Sequence, residues 1–360
     1  MSINQDEQFQ TYLNSVVPID SEFLYKKGLC GLANLGNTCF MNSMLQCLNH
    51  TMPLLEYYLS NTYSNDLNGE KIDSLIVSQW NIVTRSLWYK NSVVNPLNLL
   101  KAIHQVARNK GNTQFLGYRQ NDSQEFLQFF LESMHNALAC EVEMNISGEP
   151  KNELDKQALV ALEHYSKYFK KDYSRIVEIF YGQFYTIVDT EKTVEGVSKK
   201  EISYSYEPFN SICLEIPKVE TDTLTLYNCL DHFCEHELLV DTEIEKKSKQ
   251  HYFWKLPNIL VIFFKRWDNY GNKIDLEIDF PIDNLDMSSY VKGYTPASYQ
   301  YECYGIVNHV GGSGGGHYYS FIRNSDGNWY KYNDSVITTM NHTRLVSENA
   351  YCIFYRKKTQ

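Results

Sequence analysis

One cysteine, Cys39, stands where a glycine-broken polar stretch, Gly31-Leu32-Ala33-Asn34-Leu35-Gly36-Asn37-Thr38, gives way to an amphipathic helical pattern. A helix N-terminus presents unpaired N–H groups and a partial positive charge, and both favour thiolate over thiol. The expectation is a Cys39 thiol held below its ordinary pKa, fit for nucleophilic attack. Far downstream, Gly314-Gly315-Gly316-His317-Tyr318-Tyr319-Ser320 puts a histidine beside a glycine hinge, where it can act as general base. The segment Trp329-Tyr330-Lys331-Tyr332-Asn333-Asp334-Ser335 adds two polar side chains, Asn333 and Asp334, able to accept the ring N–H of His317 and fix its tautomer. Nucleophile, base and orienter are the parts of a nucleophilic triad. Asn34 can aim its amide at the oxyanion formed when Cys39 attacks a carbonyl, with the Cys39 N–H as second donor.

Each residue also has a structural reading. A lone cysteine is more often a small buried hydrophobe, as we read Cys30, Cys47, Cys140, Cys213, Cys303 and Cys352. Asn34, Asn333 and Asp334 are common turn residues, and His317 is compatible with a plain hairpin. Asp122 and Glu125 open a helical pattern, where they can cap it and offset its dipole, or else pair with a cationic peptide. The cluster Cys229, His232, Cys234, His236 is rich in ligands but lacks the spacing of a paired zinc site, so no metal is expected there.

The elements that must position these residues change in character along the chain. Residues 1–27 are polar with weak periodicity and read as an N-terminal arm. Helical spacing follows over Cys39 to His50, capped by Asn37 or Thr38, over Pro96 to Asn109, and over Gln120 to Ala139, capped by Asp122 or Ser123. Asp155 to about Phe180 reads as one or two further helices. After Tyr181-Gly182 the pattern becomes β: Gln183–Val188, Glu201–Tyr206 and Ile212–Ile216, a short helix over Tyr227–Leu239, then a buried strand over Asn258–Phe264. Strands follow at Tyr301–Val310, His317–Arg323, Trp329–Tyr332 and Ala350–Tyr355. Helices first and strands later define an α+β class.

The 360 residues carry a net charge of −10, which disfavours nucleic acid as partner. No apolar run is long enough to span a bilayer, so no membrane partner is expected. The start Met1-Ser2-Ile3-Asn4-Gln5-Asp6-Glu7 is polar and acidic rather than leader-like, and 9 Cys follow no framework spacing. We expect reduced thiols in an intracellular protein, cytoplasmic or nuclear.

Several segments, in order, resemble the ubiquitin-specific protease (USP) family of deubiquitinating cysteine proteases. Gly31 to Gln46 resembles its Cys box, Tyr118 to Leu127 its Gln-Asp segment, Leu256 to Trp267 the strand ending in Leu-Lys-Arg-Phe, and Tyr304 to Asp334 its His box, with His309 and Gly316-His317-Tyr318. The resemblance implies a papain-like, hand-shaped fold over residues 28–358: a helical thumb with Cys39, a β palm with His317, and β fingers at roughly 183–255. It implies Asn333 as third triad member, Asp334 as an auxiliary, Asn34 as oxyanion donor, and Gln120, Asp122, Tyr318 and Gly316 along a channel for the Leu-Arg-Leu-Arg-Gly-Gly tail of ubiquitin. Gly311 to Gly316 would be a blocking loop over that channel. The implied activity is isopeptide hydrolysis after the last glycine of ubiquitin, without cofactor, by a monomer acting on ubiquitinated proteins. A protease of a ubiquitin-like modifier and a catalytically silent ubiquitin-binding module are the alternatives. The paired Cys-x-x-Cys zinc ligands found in many members are missing near Asp189 and Lys192 and again in Asp241 to His251, so the fingers must be held by β pairing and packing alone.

Overall fold

The computed structural model describes residues 3–358 except 14, 195–196, 220–222, 243 and 313–314. Helices dominate the first half. The Cys39 helix (Cys39–Asn49) is buried along its whole length, because its apolar stripe is widened by small and amide side chains that also face inward. Met52–Leu59 and Ser123–Leu138 pack against it, and Ser74–Tyr89 packs in turn on Ser123–Leu138 and on Leu97–Lys110. Gly111 ends Leu97–Lys110 in the left-handed conformation that favours glycine. Strands β1 (Gly31–Leu32) and β2 (Val93–Val94) pair in parallel within this helical part.

The remaining strands in chain order are β3 (Gly182–Val194), β4 (Val197–Phe209), β5 (Ile212–Leu214), β6 (Glu237–Asp241), β7 (Glu245–Lys255), β8 (Ile259–Phe264) and β9 (Leu285–Asp286). They are followed by β10 (Gln300–Gly312), β11 (Gly315–Arg323), β12 (Trp329–Asn333), β13 (Val336–Thr339) and β14 (Ala350–Lys357). Two sheets form. The palm runs β13-β12-β11-β10-β14-β8-β5, with β9 paired to β10. The fingers run β4-β3-β7-β6.

The palm explains why β8 reads as one apolar run. Ile259, Val261 and Phe263 pack into the core shared with the helices, whereas Leu260, Ile262 and Phe264 pack into a second core on the opposite face. A strand covered on both faces has no polar side to display. β14 divides in the same way, with Cys352 and Phe354 on the helical side and Ile353 and Tyr355 on the other. The Cys39 helix lies against β10 and β11, which brings nucleophile and base elements together.

Some boundaries differ from the sequence reading. The helix expected over Tyr227–Leu239 stops at Phe233, and Glu237–Asp241 joins β7 as an edge strand. Asp122, not Ser123, caps its helix, and Asp155 to Phe180 resolves into Glu153–Phe169 and Arg175–Phe180. The arm at residues 1–27 contains a helix, Ile3–Leu13, docked on Ser74–Tyr89. The buried Arg85 holds this junction: its guanidinium donates to Tyr12 O, Ser15 O, Tyr58 O and Leu59 O at 2.9–3.1 Å, and to Asn81 Oδ1 at 3.1 Å. These carbonyls lie at or just beyond two helix C-termini, whose partial negative charge replaces a carboxylate partner.

Candidate active site

Cys39 begins its helix after Thr38, but neither expected capping residue caps it. Thr38 makes no side-chain cap bond; its Oγ1 accepts from Leu35 N at 3.0 Å. Asn37 adopts φ 55° and donates to Tyr118 O at 2.8 Å. The first-turn N–H groups are therefore not covered by a side-chain cap. Asn34 organises the approach instead, its Oδ1 accepting from Gly36 N at 3.0 Å and Thr38 N at 3.3 Å.

The thiol departs from expectation. Burial pushes Cys39 above its ordinary value, and the nearby Asp334 charge adds to the rise. The N–H groups of Tyr318, Phe40 and Cys39 pull the other way without prevailing. The helix-terminus argument names a real contribution but omits desolvation, which is the larger one here.

On the palm, His317 is the third residue of β11, after Gly315 and Gly316, and Asn333 ends β12. His317 Nε2 and Asn333 Oδ1 are 2.5 Å apart. An amide oxygen can only accept, so Nε2 carries the proton and Nδ1 is the basic nitrogen. Among the described residues no hydrogen bond joins Cys39 to His317. Asp334 turns away from the imidazole at φ 51° and meets the thumb: its Oδ2 accepts from Asn34 Nδ2 at 2.9 Å and its Oδ1 from Asn42 Nδ2 at 2.7 Å. Close approach here requires Gly31, where a Cβ would fall 2.5 Å from Ser335 O.

A cleft of about 260 Å³ leads to the thiol between Gln120, Asp122, His309, Gly316, Tyr318 and Trp267. Asp122 performs the structural role expected of it, accepting from Gln124 N at 2.7 Å and Glu125 N at 3.3 Å. Its carboxylate also accepts from Tyr351 Oη at 2.8 Å and Tyr318 Oη at 3.4 Å, and it lines the cleft. Gln120 and Gly316 bind each other twice across the cleft, Gln120 Nε2 to Gly316 O at 3.1 Å and Gly316 N to Gln120 Oε1 at 3.0 Å. A Cβ at Gly316 would lie 2.2 Å from His309 Nε2. Burial, then the Lys273 charge, bring His309 down to about 4, so its ring is neutral near pH 7. Of the glycine loop, Ser313 and Gly314 lie outside the described residues.

Sequence reasoning gave Asn42 and Tyr351 no role. Asn42 carried a signal, an amide among the inward positions of an apolar helix. Tyr351 carried none, since its partner Asp122 is 229 positions away. Cys229 and Cys234 pack into the palm's second core, whereas His232 Nδ1 pairs with Glu235 at 2.9 Å.

A helix-borne cysteine facing a β sheet that carries an imidazole fixed by an amide oxygen defines the papain-like class of thiol hydrolase folds. Within that class the chain belongs to the ubiquitin carboxyl-terminal hydrolase family, whose sequence pattern matches residues 30–355. It is 30% identical over 347 residues to human ubiquitin carboxyl-terminal hydrolase 2, covering 91% of this chain and 55% of that one. Ubiquitin carboxyl-terminal hydrolase Usp2 of Drosophila melanogaster is also 30% identical, with 92% of this chain and 35% of that one covered. The chain thus spans about half the length, or less, of these relatives. Among solved structures, the SAGA Ubp8/Sgf11/Sus1/Sgf73 DUB module bound to ubiquitin aldehyde superposes with a TM-score of 0.67 at 26% identity, over 100% of this chain and 76% of that one.

Proposed function

We propose that this chain is a thiol-dependent deubiquitinase that hydrolyses the isopeptide bond after the C-terminal glycine of ubiquitin. The observation that carries the reading is the 2.5 Å contact between His317 Nε2 and Asn333 Oδ1. It leaves a basic Nδ1 on the strand packed against the Cys39 helix. Family membership and the ubiquitin aldehyde bound in the similar module support ubiquitin as the substrate.

Cys39 loses its thiol proton to His317, and its sulfur bonds to the glycine carbonyl carbon. The oxyanion takes the free N–H of Asn34 and backbone N–H groups at the helix start. Collapse breaks the carbon–nitrogen bond, and His317 passes its proton to the departing lysine amine. Water, deprotonated by His317, then attacks the thioester, releasing the ubiquitin carboxylate and restoring the thiol. Asn333 orients His317 throughout. Asp122 and Tyr318 give the arginine-bearing tail an acidic, hydrogen-bonding wall. The tail displaces the Gln120–Gly316 pair as it enters, and its arrival brings thiol and imidazole into bonding distance.

Hydrolysis of a fluorogenic amide at the ubiquitin C-terminus tests the reading, alongside the same amide on ubiquitin-like modifiers. Turnover of the ubiquitin amide, lost in Cys39→Ala, is expected. Turnover confined to another modifier, or none by a folded chain, contradicts it.

A further inference from the structure

Asn42 lies one turn along the helix from Cys39 and is 2% exposed. Its Nδ2 donates to Asp334 Oδ1 at 2.7 Å, to Ala33 O at 3.3 Å and to Leu32 O at 3.5 Å. One N–H is thus spent on Asp334 and the other on the two carbonyls just before Asn34. The Oδ1 of Asn42 is buried without a partner among the described residues. Leaving a buried amide oxygen unpaired is costly. The orientation persists because Asp334, as a carboxylate, can only accept.

The other oxygen of Asp334 takes Asn34 Nδ2 at 2.9 Å. One carboxylate therefore bridges two amides. Asn42 is the fixed end, on a fully buried helix; Asn34 is the exposed end, on the loop before it. The bridge is further pinned by Leu32 N, which donates to Asp334 O at 2.9 Å.

We propose that Asn42 is a positioning residue for the hydrolysis: acting through Asp334, it sets the place and rotation of the Asn34 amide that receives the oxyanion. The proposal rests on the thiol-hydrolase reading with Asn34 as donor. One N–H of Asn34 is held by Asp334, so the remaining one has a single direction. Preorganised donors stabilise a developing charge because they need no reorientation as it forms. Without Asn42, Asp334 loses its anchor on the helix and Asn34 samples rotations that miss the oxyanion. The loss falls on the transition state and spares ubiquitin binding.

The test is a double-mutant cycle on the ubiquitin amide with wild type, Asn42→Ala, Asn34→Ala and the double variant, with thermal unfolding and ubiquitin affinity measured on each. Asn42→Ala should lower kcat by about tenfold or more, with KM within about twofold of wild type. The double variant should be no slower than Asn34→Ala alone, because both remove the same interaction. Effects that multiply, a loss confined to KM, or a wild-type kcat in Asn42→Ala overturn the proposal. A helix-stitching role would lower the unfolding temperature and multiply with Asn34→Ala. If Asn42→Ala does not fold, Asn42→Ser carries the same cycle with the same criteria. A wild type inactive on ubiquitin refutes the underlying reading; an active wild type with multiplying variants refutes this proposal alone.

Discussion

The thumb–palm junction and the fingers are held together by different means. At the junction, Asn34 and Asp334 lie 300 positions apart in sequence and touch through side chains. Asn42 and Asp334, at 292 positions, do the same. In the fingers, β3 and β4 form a hairpin whose backbone pairing runs in unbroken register from Gly182↔Phe209 to Val194↔Val197. Where zinc ligands would sit in many related hands, Asp189 pairs with Lys200 at 2.9 Å and Lys192 with Glu245 at 3.3 Å. Nearer the palm, Tyr185, Tyr206 and Trp254 pack on Ala158 and Ala161 of the Glu153–Phe169 helix. A ladder distributes its strength over many equivalent bonds, whereas the junction concentrates it in a few side chains. Single substitutions should therefore be severe at the junction and mild in the fingers.

The largest effect of this kind is expected at Asn34. Asn34→Ala should lower kcat by about 10²–10³ while ubiquitin affinity is kept, as measured by steady-state hydrolysis and binding of the two proteins. A change in KM alone would remove Asn34 from the oxyanion site. Asn333→Ala should also lower kcat in the same assay, by less than Asn34→Ala does, because His317 stays in place as the base. Arg85→Ala should show the same concentration in stability rather than rate. Stripping one side chain from four carbonyls and an amide should cost about 3–5 kcal/mol in denaturant unfolding. A cost near that of a surface substitution would mean that the N-terminal helix contributes little.

The thiol gives a pH test. The Asp334 charge disfavours the Cys39 thiolate, so removing it must favour the thiolate at lower pH. In Asp334→Asn the midpoint of iodoacetamide alkylation at Cys39, followed by mass spectrometry without ubiquitin, should move to lower pH. A midpoint that moves up would remove Asp334 from the neighbourhood of the sulfur. The smallest effect belongs to the fingers: Lys192→Ala should cost at most about 1 kcal/mol, as read by denaturant unfolding. A larger loss would show that the ion pairs, and not the ladder, hold the tip.

What could be read from sequence follows the same division. The buried strand Ile259–Phe264, the Asp122 cap and the segments bearing Cys39 and His317 were legible because each is a local pattern of residue types. The Arg85 junction was not, because its acceptors are mostly backbone carbonyls, which every residue supplies. The orientation of Asp334 was not legible either, since Asn333 and Asp334 are adjacent and only the left-handed turn at Asp334 sends one to the imidazole and the other to Asn34. The expected lowering of the Cys39 pKa failed because it counted the helix terminus and not the burial around it. The helix Ser74–Tyr89 carries a local apolar stripe as well, Ile76, Val77, Trp80, Val83 and Leu87.

The proposed function makes Cys39 a nucleophile presented to the C-terminus of ubiquitin. Its most direct test is labelling with ubiquitin that carries an electrophile in place of the terminal glycine, followed by mass mapping in wild type and Cys39→Ala. One covalent adduct is expected, on Cys39, and it is lost in the variant. An adduct on another cysteine, or none on a folded chain that still binds ubiquitin, would contradict it.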